Sequence, residues 1–116
     1  MIDDILDWRE ALARFESRGA YERRLRELLP VANDSVTTLF ALIGRGQALP
    51  EEAREKAVQV VHEVREHAAE VGARRLAARA MELELAIRGG ADLAQPYGLF
   101  SSAVPDTLCT ISGFLG

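Results

Sequence analysis

Cysteine is nearly absent from this sequence: there is one, Cys109, in 116 residues. That excludes an internal disulfide, leaves no Cys-x-x-Cys spacing for zinc, and makes a reducing cytoplasm the expected setting. Aromatic residues are sparse, 6% against a hydrophobic fraction of 48%, so the core has to come from Leu, Ala, Val and Ile. Such side chains suit packing between helices better than sheets. No apolar run approaches the roughly 18 residues of a membrane span, and MIDDILDWRE lacks the basic and apolar regions of a secretory signal. Membrane insertion is therefore not expected. Positive charge is not in excess either: the formal charge is −4, which argues against nucleic acid as a partner. Histidine is limited to His62 and His67, both within VHEVREHAAEVGA, residues 61 to 73.

What is present is helical periodicity in a chain of single-domain length. In DWREALARF, Asp7 and Glu10 have capping-box spacing, and Trp8, Ala11, Leu12 and Phe15 share one side, which predicts a short helix ending near residues 17–19. A second stripe runs through Tyr21, Leu25, Leu28, Leu29, Ala32, Val36, Leu39, Phe40 and Ile43. Its phase is unbroken across Pro30, so the proline is expected to sit inside one helix, with GRGQ (44–47) as the stop. A third helix starts at Pro50, has Glu51 and Glu52 in its first turn, and stops at Val71-Gly72. A fourth, Ala73 to Arg88, has Leu76, Ala80, Leu83 and Ile87 on one side and Ala78, Met81 and Leu85 on another. Two apolar sides predict a helix wedged between neighbours, ending at Gly89-Gly90. In the tail, Pro96, Gly98 and Pro105 predict a loop through Ser102 and then a short apolar helix from Pro105 to Leu115. With no alternating strand pattern, the expected fold is all-α: an up-and-down four-helix bundle with a short additional N-terminal helix.

The two histidines occupy different positions on the third helix. With His62 at 0° and a pitch of 100° per residue, Ala53, Ala57, Val60, Val61, Val64, Ala68 and Val71 fall at about 160° to 260°. His62 thus faces away from the core, among Glu55, Val58, Arg65, Glu66 and Ala69. His67, at roughly 140°, is a border residue that packs its ring against neighbours. A histidine on a charged helix face is usually an ordinary solvated residue. His62 differs in having small or apolar Val58 and Ala69 nearby and a cation, Arg65, at i+3. A neutral imidazole can accept a phosphoryl group, and a cation one turn away would steady it. A metal site is disfavoured because the two histidines are five residues apart, which splays the rings by about 140°. Nothing marks a Ser/His/Asp or Cys/His nucleophile arrangement.

The run HEVREHAAEVGA followed by RRLAARAMELELAIRGG resembles the histidine-containing phosphotransfer (HPt) domain family. That family has the pattern H-x-L-K-G-S-(S/A)-x-x-(L/V)-G-A and then a helix of the type xxLxxxxxxLExxxRxG. ILDWREALARFESRGAYERRLRELL is similar to its first helix and the start of its second, so the resemblance spans roughly residues 5 to 90. The resemblance implies that His62 is the phosphoryl acceptor, Val64 the buried apolar position, Arg65 the phosphate-stabilising cation and Gly72 the helix-ending glycine. It implies a four-helix bundle that relays phosphate between receiver-domain aspartates, with response-regulator receivers and a hybrid sensor kinase as partners. No cofactor or metal is expected on this chain; Mg²⁺ belongs to the receiver. Val58, Glu66 and Ala69 would then face the partner.

Two positions depart from the family: Glu66 stands where it has Gly, and His67 where it has Ser. A Glu one turn from the acceptor adds bulk and, beside a phosphorylated ring, like-charge repulsion, though it could also hydrogen-bond the ring and fix its tautomer. The competing reading is an adaptor bundle with no phosphoryl chemistry, in which the Val58/Ala69 patch binds a partner. A third is the phosphoacceptor hairpin of a sensor kinase. VHEVREH shares H-E-x-R with that motif, Glu63 matching its base, but lacks its Ser, Thr and Pro.

Overall fold

The protein is described by a computed structural model covering residues 5–43 and 49–116; the expected stop at 44–47 lies outside the described residues. Among the described residues five helices follow one another: α1 (Trp8–Leu12), α2 (Arg18–Ile43), α3 (Glu51–Val71), α4 (Arg74–Gly89) and α5 (Ala94–Leu115). No strand occurs among the described residues. Helices α2 to α5 form a ring in which each packs on the next and α5 returns to α2, while α1 lies against α2 and α3. The molecule is an all-α bundle with a short N-terminal helix, and no helix among the described residues is long and apolar enough to cross a membrane.

The core is the set of stripes that periodicity selects: Leu25, Leu28, Ala32 and Leu39 from α2, Val61, Val64 and Ala68 from α3, and Leu76, Ala80 and Leu83 from α4, all fully buried. Pro30 sits inside one continuous α2, as its unbroken phase requires. Phe40, placed on the core stripe by phase, is 64% exposed and does not belong to the core.

The tail corrects the expected loop. Helix α5 runs unbroken from Ala94 through both Pro96 and Pro105. Pro96 lies in the first turn, where its absent N–H would have no intrahelical partner anyway. Pro105 is interior and costs about 3 kcal/mol. Phe100, Val104 and Ile111 are buried along the same helix, and each such side chain returns about 1.5 to 3 kcal/mol. Burial outweighs the lost bond.

Two smaller expectations also fail. The Asp7 side chain makes no cap bond to α1, which ends at Leu12. Its carboxylate instead lies 3.5 Å from Arg74, while its backbone N–H donates to the Gly72 carbonyl at 2.8 Å. In α4, the second apolar side is not wedged: Ala78, Met81 and Leu85 are exposed, because α3 and α5 together cover only the Leu76/Leu83 side.

The α3–α4 corner is closed tightly. Gly72 has φ +82°, and the N–H of Ala73 donates to the Ala68 carbonyl at 2.9 Å, the six-to-one bond of a left-handed helix stop. The carbonyl of Val71, left over at the helix end, accepts from the buried Tyr21 hydroxyl at 2.8 Å. This corner fixes how α4 lies along α3, and so what stands opposite His62.

Candidate functional site

His62 occupies the middle of α3, nine residues from its C-terminal Val71, on the turn after Val58. Its side chain is 42% exposed, and the ring rests on the seam with α4. Both ring nitrogens have charged neighbours. Nδ1 is turned toward α4, where Glu84 Oε1 lies 3.4 Å away, and it is also 2.8 Å from Arg65 Nη2. Nε2 is turned toward Glu66, whose Oε1 lies 3.3 Å away.

Glu84 is the hub of this cluster. Its side chain is only 10% exposed. Oε1 accepts from Arg65 Nε at 3.2 Å and Oε2 from Arg88 Nε at 3.2 Å. Burial pushes the Glu84 carboxyl up, but the hydrogen bonds from Arg88 and His62 and the charges of Arg65 and His62 together outweigh it. Its pKa is lowered from the ordinary value, and a buried carboxylate therefore stands ionised behind His62 Nδ1.

Arg65, expected as a free cation for phosphate, is engaged on Glu84 and on the ring. Arg88 is more exposed, 58%, and meets the same carboxylate from the outer side of α4. Val58 is half-buried and packs against the core, so the patch expected on the outer stripe is carried there by exposed Ala69 alone. Glu66 is 67% exposed, and among the described residues His62 is its only neighbour at ion-pair distance. His67 is half-buried at the border of α3, away from this cluster. Glu63 lies on the opposite side, lining a shallow groove toward Pro30, Val31 and Asp34 of α2.

The structure therefore brings together His62, Arg65 and Glu66 from α3 with Glu84 and Arg88 from α4. The two α4 residues received no role in the sequence reading. They were nonetheless visible as the Glu and Arg of LExxxR in LELAIR, and their i, i+4 spacing is that of an acid and a base on one helix face. Met81 and Leu85 are exposed on the same helix, further round from Glu84 than Arg88. No group of three or more His, Cys, Asp or Glu side chains that could hold a metal ion occurs among the described residues.

This arrangement has defined chemical capacities. A carboxylate against one imidazole nitrogen favours the proton there and leaves the lone pair on the other. Two guanidiniums within the same cluster can offset charge delivered to the ring. Comparison of the chain with protein-family models, with curated proteins and with solved structures found no match.

Proposed function

We propose that this chain is a phosphorelay intermediate of two-component signal transduction, with His62 as the phosphoryl acceptor. One observation carries the reading: a half-exposed imidazole whose inner nitrogen is backed by Glu84, a buried carboxylate kept ionised by two arginines. In the transfer, Nε2 attacks the phosphorus of an acyl phosphate on a receiver aspartate. The P–O bond to that aspartate breaks, its carboxylate leaves, and the N–P bond forms. In the reacting tautomer Nδ1 carries the ring proton and donates it to Glu84. Arg65 and Arg88 offset the added negative charge, and passage to a second receiver is the reverse step. The receiver supplies Mg²⁺ and the remaining geometry, so the chain acts as a carrier with no nucleotide site of its own.

Incubation with phosphorylated receiver domains tests this. Wild-type chain should acquire acid-labile phosphate, His67→Gln should behave likewise, and His62→Gln should acquire none. Binding to several receivers without any label would overturn the relay.

A second reading is favoured by a specific contact. Glu66 Oε1, 3.3 Å from Nε2, occupies the approach to the nitrogen that has to react. In that reading the chain is a non-relaying adaptor, binding a partner through exposed side chains such as Ala69 of α3 and Met81 and Leu85 of α4. The absence of label with measurable binding is its signature.

A further inference from the structure

Glu66 stands one turn beyond His62 on the same face of α3, with its carboxylate at Nε2. On the other side of the ring, Arg65 Nη2 is 2.8 Å from Nδ1. A guanidinium only donates, so the Nδ1 it contacts carries the lone pair. A neutral imidazole has one ring proton, and in that arrangement the proton is on Nε2, facing the negative charge of Glu66. Glu84 Oε1, at 3.4 Å, favours the opposite tautomer, the one that frees Nε2. The shorter Arg65 contact and the Glu66 charge act together against it.

The two carboxylates differ in how firmly they are held. Glu84 is buried and tied to two arginines, whereas Glu66 is exposed and, among the described residues, pairs with no arginine or lysine at ion-pair distance. Glu66 is the side chain that can swing away. We propose that Glu66 is a gate on His62: in the free chain it keeps the proton on Nε2, and reaction there requires its carboxylate to move aside and the proton to pass to Nδ1. Its regulatory meaning rests on reading His62 as the acceptor; its chemistry can be tested without any receiver.

Diethyl pyrocarbonate is a suitable probe because it is uncharged, so the loss of a negative charge does not by itself attract it. An imidazole nitrogen attacks one carbonyl carbon, the bond to the ethyl carbonate leaving group breaks, and the ring proton passes to solvent. The leaving group then decomposes to carbon dioxide and ethanol. Modification of His62 in the full chain is followed by peptide mass spectrometry for wild type, Glu66→Ala and Glu63→Ala. Glu63 is adjacent, exposed and equally charged but directed toward α2. Freeing Nε2 should speed modification of His62 in Glu66→Ala by about threefold or more, with Glu63→Ala like wild type and His67 unchanged in all three. Imidazole ¹⁵N shifts should move from the Nε2–H form in wild type toward the Nδ1–H form in Glu66→Ala. Equal rates and an unchanged tautomer would overturn the gate. A gate that responds as stated in a chain that never accepts phosphate would sink the relay alone.

Discussion

Burial alone would favour protonation of a carboxyl placed as Glu84 is, and the arginines and histidine around it reverse that preference. The consequence for stability has a definite sign. Because the folded-state pKa lies below the ordinary 4.5, the contribution of Glu84 is present above that value and is lost as pH falls through the depressed one. Glu84→Gln keeps the shape and removes the charge. Its denaturant midpoint should therefore fall less steeply than that of wild type between neutral pH and the acid range, and parallel curves would show that the ion cluster contributes nothing. The sequence shows Glu84 and Arg88 as an i, i+4 pair, but not their contact with His62. Helical phase places His62, Arg65 and Glu66 on one face of α3, but Glu84 is 22 residues from His62 in sequence. It reaches the ring only through the fixed lie of α4 along α3.

Two long helices each carry an interior proline, and the sequence around each predicts a different outcome. For α2, continuity of the apolar stripe outweighed Pro30, and the helix is indeed continuous. For α5, the prolines and Gly98 predict a loop, although Phe100, Val104, Thr107 and Ile111 hold helical phase across Pro105 and are all buried. The physical rule is the same in both: a penalty of about 3 kcal/mol is overcome when several large side chains are buried on the same stripe. The penalty falls on the Ser101 carbonyl, which would have accepted the N–H that Pro105 lacks. Pro105→Ala should restore that bond. Pro105 is exposed, so the substitution creates no cavity. Thermal or chemical denaturation should show a gain of about 1 to 2 kcal/mol, less than the full penalty because alanine also frees the unfolded chain. A loss would mean that α5 is shaped around its proline.

At the scale of the molecule, the closest approach between the chain's early segment and the bundle is at Gly72. A Cβ at Gly72 would lie 2.6 Å from the Asp7 carbonyl oxygen and 3.0 Å from Ala11, so this glycine provides both the left-handed turn and the room for α1 to dock. Gly72→Ala combines a left-handed strain with a steric one. It should cost about 2 to 5 kcal/mol in denaturant unfolding. The amide protons of α1 should lose protection before those of α2 to α4. The glycine itself was legible as a helix stop, and the close approach of Asp7 was not, because it depends on where a distant segment lands. The same is true of the Asp7 side chain, which caps nothing and instead faces Arg74.

The chain contains a single tryptophan, Trp8, whose ring centroid is 5.4 Å from that of Phe114 near the end of α5. Phe114 in turn meets Tyr21 at 5.8 Å, and Arg18 lies over its ring at 4.8 Å. The molecule thus carries one indole, selectively excited at the red edge of aromatic absorption, at the place where α1 and α5 meet. His62 is ten residues before Gly72 along α3, a separation of roughly 15 Å at helical rise. Emission from Trp8 is accordingly a direct optical readout of whether the two ends of the chain remain docked. A partner that touches only the histidine face should leave the spectrum unchanged, and a shift on binding would mean that the contact is felt through the length of α3.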